Sequence, residues 1–218
     1  MRRLIAFFAL ITLASFAYSA EGPCGGSSLF DCGDKSEKML IAKYPKIFSR
    51  DKKILKVIGA DGSPKQYVGL STLDAPDESG VLSYVLLDYW PSMGVFAILE
   101  LKAMGESQKA FLVDIRHGFR QTEINGWPVL SPNKERFVAY NLDIEASYSP
   151  NGISVYRFDL DGRVKEEFST HEDNWGVSMA VWESDGLILL DTAAFCGERI
   201  CSGKKVLRYK NAQWQFDQ

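Results

Sequence analysis

Residues 153–168 read "ISVYRFDLDGRVKEEF". An extended run from Ile153 to Leu160 meets Asp161-Gly162, and a second run, Arg163 to Phe168, follows at once. Asp-Gly between two such runs is a hairpin signal, because it supplies the positive-φ pair that a tight type I′ turn requires. The same layout recurs along the chain. Residues 54–70, "ILKVIGADGSPKQYVGL", turn at Asp61-Gly62; residues 110–124, "AFLVDIRHGFRQTEI", turn at His117-Gly118; residues 205–216, "KVLRYKNAQWQF", turn at Asn211-Ala212. These corners fall roughly every 45–55 residues, in the range of repeat arrays and propellers.

The segments ahead of each hairpin also match. "WPVLSPNKERFVAYN" (127–141) is a strand, a Ser-Pro-Asn-Lys turn and a second strand. "MAVWESDGLILLDT" (179–192) repeats that shape around Glu183-Ser184-Asp185-Gly186, and "YVLLDYWPSMGVFAILEL" (84–101) repeats it around Pro91-Ser92-Met93-Gly94. The unit is therefore strand, tight turn, strand, longer loop, strand, tight turn, strand. Four antiparallel strands in about 45 residues make one propeller blade. The sequence thus predicts an all-β, propeller-like array of three to four antiparallel four-stranded blades, with a first unit (about 38–70) short enough to lack a strand. A β-sandwich is the alternative, since its strands also recur between turn signals. The best helical segment is "KSEKMLIAKYPKIF" (35–48), limited by Pro45.

The stretch "VLSPNKERFVAY…ISVYRFDLDG" resembles the repeat of TolB-like and WD40-like β-propellers. The likeness covers residues 128–168; the other copies match in layout, not in letters, and no WD dipeptide is present. It implies architecture alone, because propellers host many functions.

The chain opens with "MRRLIAFFALITLASFAYSA": two arginines, an apolar run and small residues, the pattern of a secretory signal peptide cleaved near Ser19 or Ala20. On that reading residues 1–20 are the signal, 21–37 an N-terminal disulfide-bearing segment, and 38–218 a single propeller-like domain, periplasmic or secreted. Removing Arg2 and Arg3 leaves 23 basic residues against 28 acidic ones, a net charge near −5. That sign disfavours nucleic acid and anionic membranes as partners and is suited to a basic protein. In an exported chain the four cysteines read as disulfides, either locally as Cys24–Cys32 and Cys196–Cys201 or cross-linked between the chain ends. Neither pair is C-x-x-C, and with only His117 and His171 the chain lacks a zinc pattern. No motif implies a cofactor or a metal.

Placing the tight turns at one end of the blades collects the longer connections at the other, where function usually resides. Candidate binding residues there are Glu145 and Tyr148 (loop 141–152), His171, Asp173 and Trp175 (loop 170–178), and Phe195, Glu198 and Arg199 (loop 192–203). Aromatics offer contact area at small entropic cost, acids steer a basic partner, and a disulfide across "CGERIC" would pre-order that loop. There is no G-x-S-x-G elbow, P-loop or G-x-G-x-x-G. The expectation is a protein-binding module rather than an enzyme, similar in plan to immunity proteins that block cell-wall-cleaving effectors. A glycan hydrolase using loop carboxylates such as Glu145, Glu172 or Asp173, and an envelope scaffold, are the alternatives.

Overall fold

A computed structural model of the protein describes residues 29–70, 80–102, 107–145 and 149–217. Residues 1–20, read from sequence as a signal peptide, lie outside them, as do Cys24, Tyr148 and the expected 24–32 pairing. Each pair of extended runs joined by a turn signal forms an antiparallel pair, so four sheets follow one another as up-and-down meanders. Sheet 1 has three strands: β1 (Phe48–Asp51), β2 (Ile54–Ile58) and β3 (Pro64–Val68). Sheet 2 holds β4 (Leu82–Trp90), β5 (Val95–Lys102), β6 (Ser107–Asp114) and β7 (Arg120–Ile124). Sheet 3 holds β8 (Trp127–Leu130), β9 (Arg136–Asn141), β10 (Gly152–Phe158) and β11 (Val164–His171). Sheet 4 holds β12 (Trp175–Ser184), β13 (Leu187–Cys196), β14 (Arg199–Lys210) and β15 (Gln213–Phe216). The all-β reading with three four-stranded blades and one short blade holds.

The Asp-Gly corners take a different turn from the expected type I′. Gly162 has φ +73° and Gly62 φ +83°, but neither aspartate has positive φ. In both turns the aspartate Oδ1 accepts the N–H two residues on, from Arg163 at 3.0 Å and Ser63 at 2.9 Å. That local bond holds the aspartate in ordinary backbone space and leaves the left-handed residue to glycine alone, as in a type I turn closed by a bulge. The paired positive-φ turn occurs instead at Asn211 (φ 52°) and Ala212 (φ 63°).

Period-two alternation explains the stacking. On β5, Phe96 and Ile98 point to sheet 1, where they meet Phe48, Leu55, Val57 and Tyr67. Val95, Ala97 and Leu99 point the other way, into a core shared with Phe137, Val138, Ile153 and Val155 of sheet 3 and Val177, Ile188 and Leu190 of sheet 4. A strand buried on both faces reads as a continuous apolar run, and "VFAIL" is that run. Trp127, at the start of β8, is 5 % exposed and belongs to this core.

The helix α1 (Leu29–Lys43) stops two residues before Pro45, which clashes with helical backbone ahead of it. It runs across residue 37, so the boundary drawn there falls inside an element that packs on sheet 2. β4 is the edge strand of its sheet, and α1 covers that edge. Ser36 donates to the Leu87 carbonyl, and the Glu37 carboxylate accepts the Leu86 N–H at 2.8 Å. Arg50 of β1 binds Glu37 through both Nε and Nη2 and donates to the Tyr84 carbonyl at 2.7 Å. Glu37 is 8 % exposed. Helix, first sheet and second sheet are thus joined at one carboxylate.

Breaking a buried ion pair strands the remaining charge at a cost of about 3–5 kcal/mol. Glu37→Ala is expected to lose about 3 kcal/mol of unfolding free energy, and Arg50→Ala a similar amount. In urea titrations the double variant should lose far less than the two losses added.

Candidate functional site

A meander alternates its connections between two ends. One end carries 59–63, 91–94, 115–119, 131–135, 159–163, 185–186 and 211–212; the other carries 52–53, 125–126, 142–151, 172–174 and 197–198. The tight-turn end is laced from blade to blade. Ala60 N–H donates to the Ile115 carbonyl at 3.2 Å, Arg120 to the Asp161 carbonyl at 3.2 Å, and Asn133 N–H to Asp185 Oδ1 at 2.9 Å. His117 orders its own turn: its Nδ1 is 2.7 Å from buried Asp114, which also accepts the Arg116 N–H at 2.8 Å. Burial works against the charged Asp114, but the bonds from His117 and Arg116 outweigh it and hold its pKa below the usual carboxylate range.

A second acidic hub joins sheets 3 and 4. Glu167 of β11 accepts Arg136 of β9 at 2.7 Å and the Trp214 indole N–H of β15 at 3.2 Å. The Arg136 guanidinium lies over the Tyr209 ring, 4.9 Å from its centroid. Burial raises the Glu167 pKa, yet Arg136, Trp214 and the charge of Arg157 together lower it.

At the other end, the three stretches singled out from sequence meet, but two of them are shorter loops than expected. Residues 192–203 are no loop. β13 and β14 run on as a hairpin closed by Gly197-Glu198, with Ala194 opposite Cys201, Phe195 opposite Ile200 and Cys196 opposite Arg199. The cysteines therefore share one face of the ribbon as diagonal neighbours, and they are disulfide-bonded with Cα atoms 5.9 Å apart. Phe195 and Ile200 share the opposite face, 47 % and 46 % exposed. β-branched, aromatic and cysteine residues on both sides of a short turn extend the ladder, where the density of polar and small residues suggested a loop. Residues 170–178 shrink likewise to 172–174, because β11 runs to His171 and β12 starts at Trp175.

Contacts make these pieces contiguous. Phe195 N–H donates to the Asn174 carbonyl at 3.3 Å, and Glu172 N–H to the Asn151 carbonyl at 3.4 Å. Asp143, also in this loop, is used internally: its carboxylate accepts the Ser149 N–H at 2.8 Å. Asn151 locks the same loop by bonding both the N–H and the carbonyl of Asp143. Glu145, Asp173, Glu198 and Arg199 are exposed at this end of the array. Trp175 is not a free anchor. It is half-buried against Phe216 with ring centroids 6.0 Å apart, and Lys205 Nζ sits 4.7 Å from its ring.

His171 stands apart from the ribbon, at the mouth of a cleft of about 190 Å³ between sheets 2 and 3. Asn125, Asn141, Tyr156 and Glu166 line the same cleft. Sequence reasoning missed all four. The available signal was two Asn-Gly dipeptides, 125–126 and 151–152. Gly126 (φ +89°) and Gly152 (φ +114°) each bring backbone so near a neighbouring strand that a Cβ would sit 2.2 Å from the Tyr140 or Thr170 carbonyl oxygen. None of Glu145, Glu172 and Asp173 lines the cleft. Among the described residues no three metal-capable side chains cluster, and no helix is long and apolar enough to cross a membrane.

Compared with known proteins, the chain matches no family model and no curated protein.

The lowered folded pKa values of Glu167 and Asp114 set an acid limb. Their contribution is fully present above the ordinary values of 4.5 and 3.8 and is lost as pH falls through the lower folded values. Urea midpoints should therefore drop below about pH 4, and Glu167→Gln should flatten that drop while lowering stability at neutral pH.

Proposed function

We propose that this protein is an exported binding module whose loop-end surface, centred on the hairpin 194–201, seats a protein partner. The observation that carries the reading is the Phe195–Ile200 pair. Single exposed apolar residues are ordinary on a protein surface. Here two large ones lie directly opposite each other on a ribbon clamped by a disulfide, at the tip of a sheet. A ribbon ordered in advance loses little entropy on binding, and its apolar pair supplies a small anchor. Exposed Glu145, Asp173 and Glu198 add negative charge to this end of the array, which favours a basic partner and speeds its approach.

A narrow, rigid finger of this kind is suited to an enzyme cleft. The partner class that fits is a basic cell-envelope hydrolase, which the hairpin would block. None of the carboxylates Glu145, Glu172 and Asp173 lines the cleft beside His171, so the reading as a glycan hydrolase draws no support from it.

The test is affinity capture from an envelope extract followed by binding and inhibition measurements on the captured enzyme. Phe195→Ser/Ile200→Ser should weaken binding roughly a hundredfold, the loss of about 2–3 kcal/mol expected of a central apolar anchor. Cys196→Ser/Cys201→Ser should keep the fold and weaken binding about tenfold, by loosening the ribbon. Equal affinity of the double serine variant at Phe195 and Ile200 would sink the assignment.

A further inference from the structure

The outer edge of sheet 4 is covered along only part of its length. β15 pairs with Leu207–Lys210 of β14, whereas β13 pairs with β14 from Arg208 back to Arg199 with no shift of register. Two bonds fix which way the backbone of β14 points. Tyr209 N–H donates to the Gly186 carbonyl at 2.9 Å, toward β13, and Asp217 N–H donates to the Val206 carbonyl at 2.9 Å, on the β15 side. In an antiparallel ladder the N–H and C=O of one residue point the same way, and successive residues alternate. Ile200, Ser202 and Lys204 therefore hold their N–H and C=O groups outward, where no strand among the described residues meets them. The stretch is not shielded: Ser202 to Lys205 are all exposed, as are Arg199 and Ile200.

An open strand edge is a template for pairing with another chain. Charge decides which chain. β14 reads "RICSGKKVLRYK", with basic residues and no acid, in a protein of net charge −3. Part of that charge is engaged: Asp217 holds Arg208 at 2.9 Å and Lys210 at 3.2 Å, and Asp191 lies 3.4 Å from Lys204. Along the open stretch, Arg199 has no carboxylate partner among the described residues, and Lys205 rests 4.7 Å from the Trp175 ring. A second copy is a poor occupant. Two-fold antiparallel pairing centred on Ser202 would set Arg199 opposite the other copy's Lys205, twice, and like charges directly opposite destabilise a ladder. Lysines on an edge are a usual guard against self-pairing; the same charges admit an acidic strand.

We propose that the open edge of β14, residues 199–205, takes up an acidic extended segment of a partner protein as an added strand. The segment's backbone bonds Ile200, Ser202 and Lys204, and its carboxylates meet the basic side chains beside them. In strand addition the main-chain bonds give affinity and the alternate side chains give selectivity. The proposal does not rest on the Phe195–Ile200 pair, whose side chains lie on a face of the ribbon and not along its edge.

The experiment is a backbone-amide NMR titration of the folded, disulfide-bonded protein. The probe is a capped hexapeptide alternating glutamate and valine. Its controls are the same peptide with lysine for glutamate, and the glutamate peptide N-methylated throughout, which keeps the charge but cannot donate. In the free protein the amides of Ile200, Ser202 and Lys204 should exchange at least about tenfold faster than those of Cys201, Gly203 and Lys205, which bond β13. The glutamate peptide should shift the first three signals saturably and slow their exchange about tenfold. Each control peptide should bind at least about tenfold more weakly. Ser202→Pro removes one outward N–H and spares the ladder to β13, a position where an edge strand tolerates proline. It should weaken binding about tenfold in a chain that still folds. The N-methylated comparison needs no variant and decides the matter if Ser202→Pro does not fold. Phe195→Ser should leave peptide affinity unchanged, so failure here and failure of the ribbon reading are distinguishable. No saturable shift at the three amides would overturn the proposal. So would equal binding of either control peptide, full affinity in folded Ser202→Pro, loss of affinity in Phe195→Ser, or dimers that protect the same amides without peptide.

Discussion

A meander of sheets leaves the inner edge of every blade with unpaired backbone groups, and an unpaired edge invites aggregation. This protein meets that constraint at its second blade with a helix. α1 lies along β4 and covers its edge through Ser36 and Glu37, while Arg50 brings the first sheet to the same carboxylate. The node matters beyond its own bonds. Sheet 2 is buried on both faces, so whatever holds β4 in place also holds the partition between the two apolar clusters. Three remote stretches of chain are brought to a single buried charge.

The two ends of the array divide the labour. The tight-turn end is made rigid by hydrogen bonds between blades, through Ala60, Asp161 and Asp185, while Asp114 orders the turn 115–119 from within its own blade. The other end is freed from that duty and carries the cleft and the ribbon. Its own order is local: Asn151 and Asp143 hold the loop 142–151, and the disulfide holds the hairpin. A partner at the ribbon would therefore meet a surface already shaped to receive it, backed by a sheet core that has no need to move.

Much of the fold was legible in the residues, and little of the candidate site was. Turn chemistry is local, so Asp61-Gly62, Asp161-Gly162 and Asn211-Ala212 marked hairpins wherever they occurred. What they did not reveal was the turn type, because the Asx bond from Asp161 to Arg163 competes with the positive φ that a type I′ turn would ask of the aspartate. The loop residues were harder. Trp175 reads as a surface anchor, yet Phe216 and Lys205, which cover it, lie on other strands of its sheet. Asn125 and Asn141 read as ordinary turn and strand-end residues, and nothing in their own neighbourhoods says that they share a cavity.

The sequence by itself determined the hairpins, the repeat of four-stranded units and the short first blade, and it left the Cys196–Cys201 pairing as one of two choices. Each of these depends on residues close together in the chain, where backbone preference and side-chain period act directly. Tertiary structure alone decided that α1 seals β4, that 192–203 stands as a ribbon with Phe195 beside Ile200, and that two buried asparagines line one cleft. Those outcomes depend on which faces of separate sheets meet, and packing across sheets joins residues that no local pattern connects.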